Sequence, residues 1–539
     1  MAPSGHRSTD DAHGGGDGHS RGRGWWARGL PLAGLVALAA AAASATAAPL
    51  PSASVAEIER IVGDPRYQNA SWGIAVRDAA TGETVYERNA DRLRVPGSLT
   101  KLFTGAAALQ ALGPNRRFVT PVHRIGRVRD GRVPTLALVA SGDFSFGLRE
   151  RRDGTLAFSL ADHNNANALQ NVSSVSGRPL RALRRLARDV RRSGVRRVGE
   201  VAIDDRLFRQ FSGWPDGTIS PIWVNENLID ITVSATARGR AAKVSSRPRT
   251  PAYRVVSRVR TGGETDLRLH EPRTGVIRVD GTIAADEGST VRTWTVDEPA
   301  DFARTAFITE LRRAGVAVEA AAVAPNPTGA LPRSRAYPPG TRVARWASPA
   351  PFSQYVNVVF KLSYNRGADL MACLVGVAGG TRSCENGLAR VTDRVVGLGV
   401  RGDRFFNFDG AGSLESNNIT PRALNDLVGV ARAQPWGEAF RAGLPVLGVP
   451  GGGSLSFLGT ESPARGKFFA KTGTRIISPP GSPAGLLAAR GLSGYLQGVS
   501  GREYLVTMIV NGVSFVSVAE TAPVNTDQID IVDAIYRGT

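Results

Sequence analysis

The stretch Pro96-Gly97-Ser98-Leu99-Thr100-Lys101 places a serine and a lysine three residues apart, directly after a Pro-Gly pair that breaks the chain. Apolar residues then recur at helical spacing up to Leu112, so the sequence predicts a helix that begins near Ser98 and ends at Gly113-Pro114. Residues i and i+3 share one face of a helix, roughly 5–6 Å apart at Cβ. We therefore expect the Lys101 amine to reach the Ser98 hydroxyl.

Lysine is scarce in this chain, which makes its positions informative. Of 67 basic residues, 62 are arginine and five are lysine, namely Lys101, Lys243, Lys361, Lys467 and Lys471. Burial lowers the pKa of a lysine until the neutral amine acts as a base, whereas guanidinium stays charged. The alternative interpretation of the string Ser98–Lys101 is a capping serine that lies beside a surface lysine by chance. Because lysine is scarce in this chain, such a coincidence is less common here.

Two further strings complete a pattern typical of serine acyl transfer with lysine in place of histidine. Ser363-Tyr364-Asn365 offers a hydroxyl to pass a proton and an amide to hold a carbonyl, although alone it also fits a polar turn. Lys471-Thr472-Gly473-Thr474 ends a predicted strand, where glycine lets a peptide-like backbone approach. A second ammonium there would attract a carboxylate and help to keep Lys101 neutral.

Other catalytic schemes lack their sequence motifs. Beyond the first 48 residues the histidines are His123, His163 and His270, and none belongs to a triad, zinc or phosphate-loop motif. We expect no metal or cofactor, because two cysteines without nearby histidines are poor metal ligands. Cys373 and Cys384 either form a disulfide or remain thiols, with Cys373 buried in an apolar run.

Composition limits the partners. The chain of 539 residues is 42% hydrophobic, enough for two or more domains, because one core rarely grows beyond about 250–300 residues. Its net charge is +20, yet aromatic residues are 7% and no nucleic-acid motif is present, so we expect no nucleic-acid partner. The arginines fit solvated faces, and the alternative is peripheral contact with an anionic polymer or membrane surface of the envelope.

Residues 1–48 have the composition of an export signal. A polar, arginine-containing start precedes an uncharged Ala/Leu-rich run, and Ala43-Ser44-Ala45 and Ala45-Thr46-Ala47 both offer cleavage sites. No Arg-Arg pair precedes the run, which favours general secretion. We predict export to the periplasm or cell envelope, and the alternative is an uncleaved membrane anchor.

The pattern of apolar and turn residues changes twice along the chain. Residues 121–339 show short alternating strands between Gly, Pro and Asp turns, whereas 49–120 and 340–539 hold most helical patterns and all three strings. The sequence predicts a discontinuous catalytic domain, 49–120 plus 340–539, around an inserted β-rich region, 121–339. Individual elements are expected as a hairpin in 72–88, helices at 179–192, 352–362 and 368–377, and strands at 467–472 and within 494–510.

These motifs resemble the penicillin-binding D-alanyl-D-alanine carboxypeptidase/endopeptidase family of the penicillin-binding protein 4 (DacB) type, peptidase family S13. The long gap between Ser98 and Ser363 is similar to that family, in which extra domains fill it. Further similar stretches are Gly199–Asp205, Asn225-Glu226-Asn227, Asp409-Gly410-Ala411-Gly412, Leu444–Gly448 and Gly466-Lys467. The resemblance implies an α/β (α+β) transpeptidase-like, β-lactamase-like catalytic domain with a large β-rich insertion.

The resemblance also implies roles for residues. Ser98 is the acylated nucleophile, Lys101 its base, and Ser363 and Asn365 assist proton transfer and substrate placement. The third string supplies substrate contacts: Lys471 with Thr472 for the terminal carboxylate, Gly473 for close approach, and the Thr474 N–H with that of Ser98 for the oxyanion. The implied partners are peptidoglycan stem peptides as substrates and β-lactams as inhibitors. Asp143 is matched to an acidic residue that meets the diaminopimelate amine.

Two departures and two rival functions accompany the resemblance. Tyr364 stands where the family commonly has Asp, and Asp409–Glu415 replaces Asp-Gly-Ser-Gly-Leu-Ser-Arg, with Ala411 in place of its first serine. The second departure leaves open how a second stem-peptide carboxylate is held. The rivals are a β-lactamase or esterase on the same fold, which rapid turnover of penicillin would favour, and a catalytically silent cell-wall-binding protein.

Overall fold

The computed structural model describes residues 48–169 and 171–539. The predicted export signal lies outside the described residues except for Ala48, as do both candidate cleavage sites up to Ala47. Among the residues described, no helix combines the length and the apolar character needed to cross a bilayer.

The α-helices of the described residues, in chain order, are α1 (Ser52–Val62), α2 (Thr100–Leu112), α3 (Arg181–Arg192), α4 (Pro299–Arg313), α5 (Phe352–Leu362), α6 (Asn365–Ala378), α7 (Cys384–Gly397), α8 (Pro421–Arg432), α9 (Gly437–Gly443) and α10 (Ala522–Arg537). The strands, again in chain order, are β1 (Ser71–Asp78), β2 (Thr84–Arg88), β3 (Val119–Ile125), β4 (Arg132–Val139), β5 (Arg197–Asp204), β6 (Leu228–Ser234), β7 (Lys243–Arg247), β8 (Arg254–Thr261), β9 (Asp266–Arg273), β10 (Val276–Ile283), β11 (Ser289–Thr295), β12 (Ala317–Val318), β13 (Arg342–Ala347), β14 (Phe405–Phe406), β15 (Asn418–Ile419), β16 (Phe468–Ile477), β17 (Gly485–Gln497), β18 (Glu503–Asn511) and β19 (Val513–Phe515). The predicted hairpin and all four predicted helices are therefore confirmed, and the span 494–510 holds parts of two strands, β17 and β18.

The sheet that carries the third string is antiparallel, with strand order β16-β17-β18-β1-β2. Strand β1 pairs with β18 along its whole length, from Ser71 opposite Asn511 to Asp78 opposite Tyr504. Strands β1 and β18 are almost continuously apolar and buried on both faces, because helices cover the sheet on both sides. Chain segments from before and after the inserted region thus share one sheet.

Helix α2 is buried almost all round. Ten of its thirteen residues are buried, and its small residues let neighbours approach closely. At Gly105 the ring of Phe360 on α5 takes the space of a side chain, since an added Cβ would lie 2.4 Å from that ring. Ser98 itself lies just before α2, in the 3-10 turn Gly97–Leu99 that leads into it. The helix end that carries the serine is therefore fixed by packing from several sides.

The inserted region forms three sheets. A five-stranded sheet has the order β12-β5-β4-β3-β13, and two three-stranded sheets have the orders β11-β6-β7 and β8-β10-β9. Helices α3 and α4 pack with them around one apolar core. Strand β13 pairs with β3, so this sheet reaches Ala347 rather than the predicted residue 339, and it begins at Val119. Phe144 and Trp214 of this region also join the core around α2.

Cys373 on α6 and Cys384 at the start of α7 form a disulfide. Both side chains are buried, and the two helices pack against each other. The first of the two alternatives for this pair is therefore the one found. The bond closes a short loop beside the helix whose first residue is Asn365.

Candidate active site

Ser98 and Lys101 meet as the helical spacing predicts. Lys101 Nζ lies 2.8 Å from Ser98 Oγ, and the same amine lies 2.7 Å from Asn365 Oδ1 and 2.6 Å from the Ala411 carbonyl oxygen. Lys101 is fully buried, whereas Ser98 is half-buried. The amine is thus enclosed by protein oxygens, and the hydroxyl beside it is open to a substrate.

Burial makes the neutral form of Lys101 more accessible than that of an exposed lysine. Burial lowers the pKa of Lys101 to about 8, against the opposing attraction of Asp216, Asp369 and Asp409. A neutral amine has two N–H groups and one lone pair. The N–H groups fit Asn365 Oδ1 and the Ala411 carbonyl, which leaves the lone pair for the Ser98 hydroxyl proton. A geometry of this kind is what a general base for Ser98 requires.

A carboxylate from the inserted region fixes the Asn365 amide. Asn365 Nδ2 donates to Asp216 Oδ1 at 2.7 Å, and the Ser413 hydroxyl donates to Asp216 Oδ2 at 2.5 Å. Because a carboxylate accepts only, the amide nitrogen must face Asp216 and the amide oxygen must face Lys101. Sequence reasoning missed Asp216 and Ser413. No motif marks Asp216, which lies 147 residues before Ser363 in a Pro-Asp-Gly turn.

The segment Asp409–Glu415, which departs from the family string, forms a tight loop that packs next to Ser98. The Asp409 carboxylate accepts from the backbone N–H groups of Ala411, Ser413 and Leu414, at 3.1, 2.9 and 2.7 Å. At Gly412 an added Cβ would lie 1.9 Å from the Gly97 carbonyl oxygen, so only glycine allows this approach. Ala411 contributes its backbone carbonyl to Lys101, a contact that its side chain does not affect.

Lys471 lies beside Ser363. Its Nζ donates to Ser363 Oγ at 2.9 Å and to the Thr472 carbonyl at 2.7 Å, and the side chain is fully buried. Burial, together with the positive charge of Lys101, lowers the pKa of Lys471 well below its usual range. Ser363 ends α5 in the left-handed conformation, with φ 61°, which turns its side chain toward that lysine.

Strand β16 presents backbone groups to Ser98. It is the edge strand of its sheet, so one row of its N–H and C=O groups has no neighbouring strand. Gly473 brings that row close, because an added Cβ would lie 2.4 Å from the Pro96 carbonyl oxygen. The backbone of Thr474 lies against Gly97, where an added Cβ would be 3.0 Å from the Thr474 nitrogen. The two N–H groups expected to bind an oxyanion thus lie on adjoining segments.

A polar cavity of about 500 Å³ opens beside Ser363 and Asn365. The inserted region supplies its other walls, with His163, Asn164, Asn167 and Asp216 among the lining residues. The string Ser363-Tyr364-Asn365 and the inserted region therefore line one space that is large enough for a peptide side chain.

The structure does not place Asp143 at this site. Its side chain is buried, and its carboxylate accepts from the Tyr355 hydroxyl at 2.6 Å and from the Phe146 N–H at 2.9 Å. The carboxylate is thus used within the core, away from Ser98, and its contact with a diaminopimelate amine stays a prediction that these contacts do not support. Tyr364 is also buried, with its ring against that of Phe144.

A half-buried serine beside a buried lysine amine, facing an edge strand with free backbone groups, defines a serine acyl-transfer enzyme of the penicillin-recognising class. The family model described as the D-Ala-D-Ala carboxypeptidase 3 (S13) family matches residues 54–534. The chain belongs to this family and is therefore a serine peptidase, which confirms the resemblance and the predicted fold class.

Two relatives illustrate the match. A curated D-alanyl-D-alanine carboxypeptidase from Actinomadura sp. (strain R39) is 29% identical over 485 residues, which cover 85% of this chain and 81% of the relative. Penicillin binding protein 4 (dacB) from Haemophilus influenzae superposes with a TM-score of 0.67 at 18% identity, over 89% of this chain and 99% of that one. The same protein in complex with a β-lactam gives a TM-score of 0.63 at 18% identity, over 90% of this chain and 99% of that chain.

Proposed function

We propose that this protein hydrolyses peptidoglycan stem peptides that end in D-Ala-D-Ala, or the D-Ala-diaminopimelate cross-links formed from them, through an acyl-enzyme on Ser98. The observation that carries the proposal is the buried Lys101 amine, 2.8 Å from a Ser98 hydroxyl that substrate can reach. The Actinomadura relative is named for the first of these activities.

Acylation follows from the contacts around Ser98. Neutral Lys101 takes the hydroxyl proton while Ser98 Oγ attacks the carbonyl carbon of the terminal peptide bond. The N–H groups of Ser98 and Thr474 stabilise the negative charge on the carbonyl oxygen. Ser363, in contact with Lys471, gives its hydroxyl proton to the departing amine and takes up the proton that Lys101 removed from Ser98, so that Lys101 is neutral again. The peptide bond breaks and D-alanine leaves, and water then attacks the ester with Lys101 again as base.

Substrate placement uses groups along β16. Thr472 is half-buried and Thr474 exposed, so their hydroxyls are open to a terminal carboxylate. Lys471 is enclosed behind them, and Arg490 Nη1 donates to Thr474 Oγ1 at 2.9 Å. Burial lowers the pKa of Arg490 to about 10, so its guanidinium is still charged at neutral pH. We assign to Arg490 a share of the carboxylate binding that the resemblance assigned to Lys471 with Thr472.

The proposal includes inhibition and location. β-Lactams acylate Ser98 by the same attack and remain as slowly hydrolysed esters. The protein acts outside the cytoplasm, in the periplasm or cell envelope where its polymer substrate lies, after export directed by residues 1–48. Carboxypeptidase and endopeptidase action use the same acyl-enzyme and differ only in the leaving amine.

Labelling with a fluorescent penicillin tests the acyl-enzyme. We expect the protein to be labelled and Ser98→Ala to be unlabelled, with the adduct mass on the tryptic fragment that contains Ser98. Serine at 416, exposed and distant in sequence, provides a matched control as Ser416→Ala. Labelling of Ser98→Ala, or absence of labelling in the unmodified protein, would refute the mechanism. Rapid hydrolysis of penicillin would favour the β-lactamase alternative.

Digestion of purified cell wall separates the two peptidase activities. Loss of pentapeptide muropeptides indicates carboxypeptidase action, and loss of cross-linked dimers indicates endopeptidase action. No change in either, despite penicillin labelling, would contradict the proposed substrate.

A further inference from the structure

The excess positive charge of this chain is concentrated in the inserted region. Residues 119–347 contain 37 basic and 23 acidic residues, so they carry +14 of the net charge of +20. Much of that charge is neutralised locally. On α3, Arg185 pairs with Asp189 and Arg184 with Glu310, both at 3.0 Å. The arginine-rich helix is thus an ion-paired solvated face.

One cleft differs from that helix. Its volume is about 840 Å³, and its walls are the tip of the β3–β4 hairpin and the starts of β5 and β12. Five exposed arginines line it, namely Arg127, Arg129, Arg132, Arg196 and Arg197. Among the described residues, Arg127, Arg129 and Arg196 form no ion pair, and Glu319 neutralises Arg132 at 2.8 Å. Of the acidic residues, Asp130 lines the cleft.

The backbone forces these guanidinium groups together. Arg129 and Arg132 pair directly across the turn Asp130-Gly131, whose residues have φ values of 49° and 72°, as a tight type I′ hairpin requires. Arg132 is also the register partner of Arg197 on β5. Three arginines therefore stand side by side across adjacent strands.

A second set of hydrogen bonds adds Arg196. The Gly131 carbonyl accepts from the N–H groups of Arg196 and Arg197, at 2.8 and 3.1 Å, which ties β5 to the hairpin tip. Like charges directly opposite each other on a sheet reduce stability. Glu319 offsets part of this cost, since its carboxylate lies 2.8 Å from Arg132 and 4.0 Å from Arg197. The charges of Arg127, Arg129 and Arg196 stay uncompensated within the part of the chain that the structure describes, and an anion in the cleft would neutralise them.

We propose that this cleft binds a phosphodiester-linked polymer of the cell wall. The planar guanidinium fork matches a phosphate with two parallel hydrogen bonds, and neighbouring arginines suit an anion that repeats along a chain. The cleft is concave between two walls, which fits an extended strand better than a flat bilayer. The choice of a wall polymer rests on the proposed function for its location, while the charge argument does not.

Binding to a soluble probe tests the cleft without any peptidase substrate. Fluorescence anisotropy would follow labelled poly(glycerol phosphate) on titration with the full protein, at several salt concentrations. The triple variant Arg127→Ser, Arg129→Ser and Arg196→Ser removes three charges that no carboxylate neutralises. A matched control, Arg152→Ser, Arg258→Ser and Arg333→Ser, removes three exposed arginines elsewhere, which form no ion pair within the described chain.

We expect the cleft variant to bind at least tenfold more weakly and the control less than twofold. The slope of log affinity against log salt should fall by about two to three, as expected when three phosphate contacts are lost. The polymer should also raise the melting temperature of the unmodified protein but not that of the cleft variant. Penicillin labelling of Ser98 should be unchanged in both, so a failure here is separate from a failure of the proposed function.

Three results would overturn the proposal. Equal weakening in both triple variants would show that net charge alone attracts the polymer. Unchanged binding in the cleft variant would place the polymer elsewhere. Loss of binding to anionic phosphatidylglycerol vesicles, with polymer binding retained, would make the cleft a membrane contact instead. If the triple variant were not labelled by penicillin, Arg129→Ser alone would take its place in each measurement.

Discussion

Replacement of Asp216 by asparagine should make Ser98 more reactive near neutral pH. Burial lowers the pKa of Lys101, and of the charges that raise it Asp216 has the largest effect. Two hydrogen bonds of 2.7 Å link the two side chains through the Asn365 amide, which puts the charges roughly 7 Å apart. At an effective dielectric constant of about 20 this attraction is about 2.4 kcal/mol, or about 1.7 pKa units.

The observed shift should be smaller, about one unit. Asp216 is partly open to solvent, which screens its charge. Asp369 also becomes easier to ionise, since burial and Asp216 together raise its pKa. A fall in the pKa of Lys101 from about 8 to about 7 raises its neutral fraction at pH 7 from about 9% to about 50%. Acylation at pH 7 should therefore become about three- to fivefold faster, after allowance for a weaker base.

Stopped-flow acylation by a fluorescent penicillin between pH 5.5 and 9.5 measures this directly. The rate should rise with pH in both proteins, with a lower midpoint for Asp216→Asn and similar plateaus, because asparagine can still accept from Asn365 Nδ2. Ser413→Ala is the control, since it removes a hydrogen bond to Asp216 but no charge. A midpoint that stays or rises in Asp216→Asn would show that Lys101 does not titrate as the base.

Three further changes have defined outcomes. Gly473→Ala should slow penicillin acylation at least tenfold, because the new Cβ would displace β16 from Pro96; a rate within twofold in the same stopped-flow assay would contradict this. The double change Cys373→Ala and Cys384→Ala should lower the free energy of unfolding in urea by about 3 kcal/mol, from a loop of 11 residues. Although burial opposes its charge, Asp230 and Glu226 raise the pKa of His163 to about 9 from 6.5. The stabilisation of the folded protein by charged His163 is thus complete below about pH 6.5 and lost as pH rises through about 9. Over that range the free energy of unfolding in urea should fall by about 3 kcal/mol more in the unmodified protein than in His163→Gln.

The sequence predicts the catalytic strings well because each is local. Ser98 and Lys101 lie one helical turn apart, so their contact follows from the helix itself. The long helices and the hairpin follow from apolar periodicity and turn residues for the same reason. Ser363 and Lys471 come together only in the folded chain. Their contact could be predicted only because the order of the three strings is typical of the family.

The sequence fails where a contact depends on tertiary structure alone. Asp216 reaches Asn365 across 149 residues, and nothing in its neighbours distinguishes it from other turn aspartates. Asp143 was chosen from a local string, but burial beside Tyr355 decides its role. Strand β13 extends the five-stranded sheet to Ala347, beyond residue 339, because its pairing with β3 depends on register, which composition does not encode.

The pairing of β1 with β18 has a consequence for the timing of activity during biosynthesis. Residues near the start of the described chain find their partners only once the segment 503–511 has been made, and Lys101 waits likewise for residues 365 and 411. Pairings between residues so far apart in sequence form late, because the entropy cost of closing a long loop comes before the stabilising contacts are made. A partly synthesised chain therefore cannot hydrolyse peptidoglycan. Hydrolysis begins only after the last strands of the sheet have been made and paired.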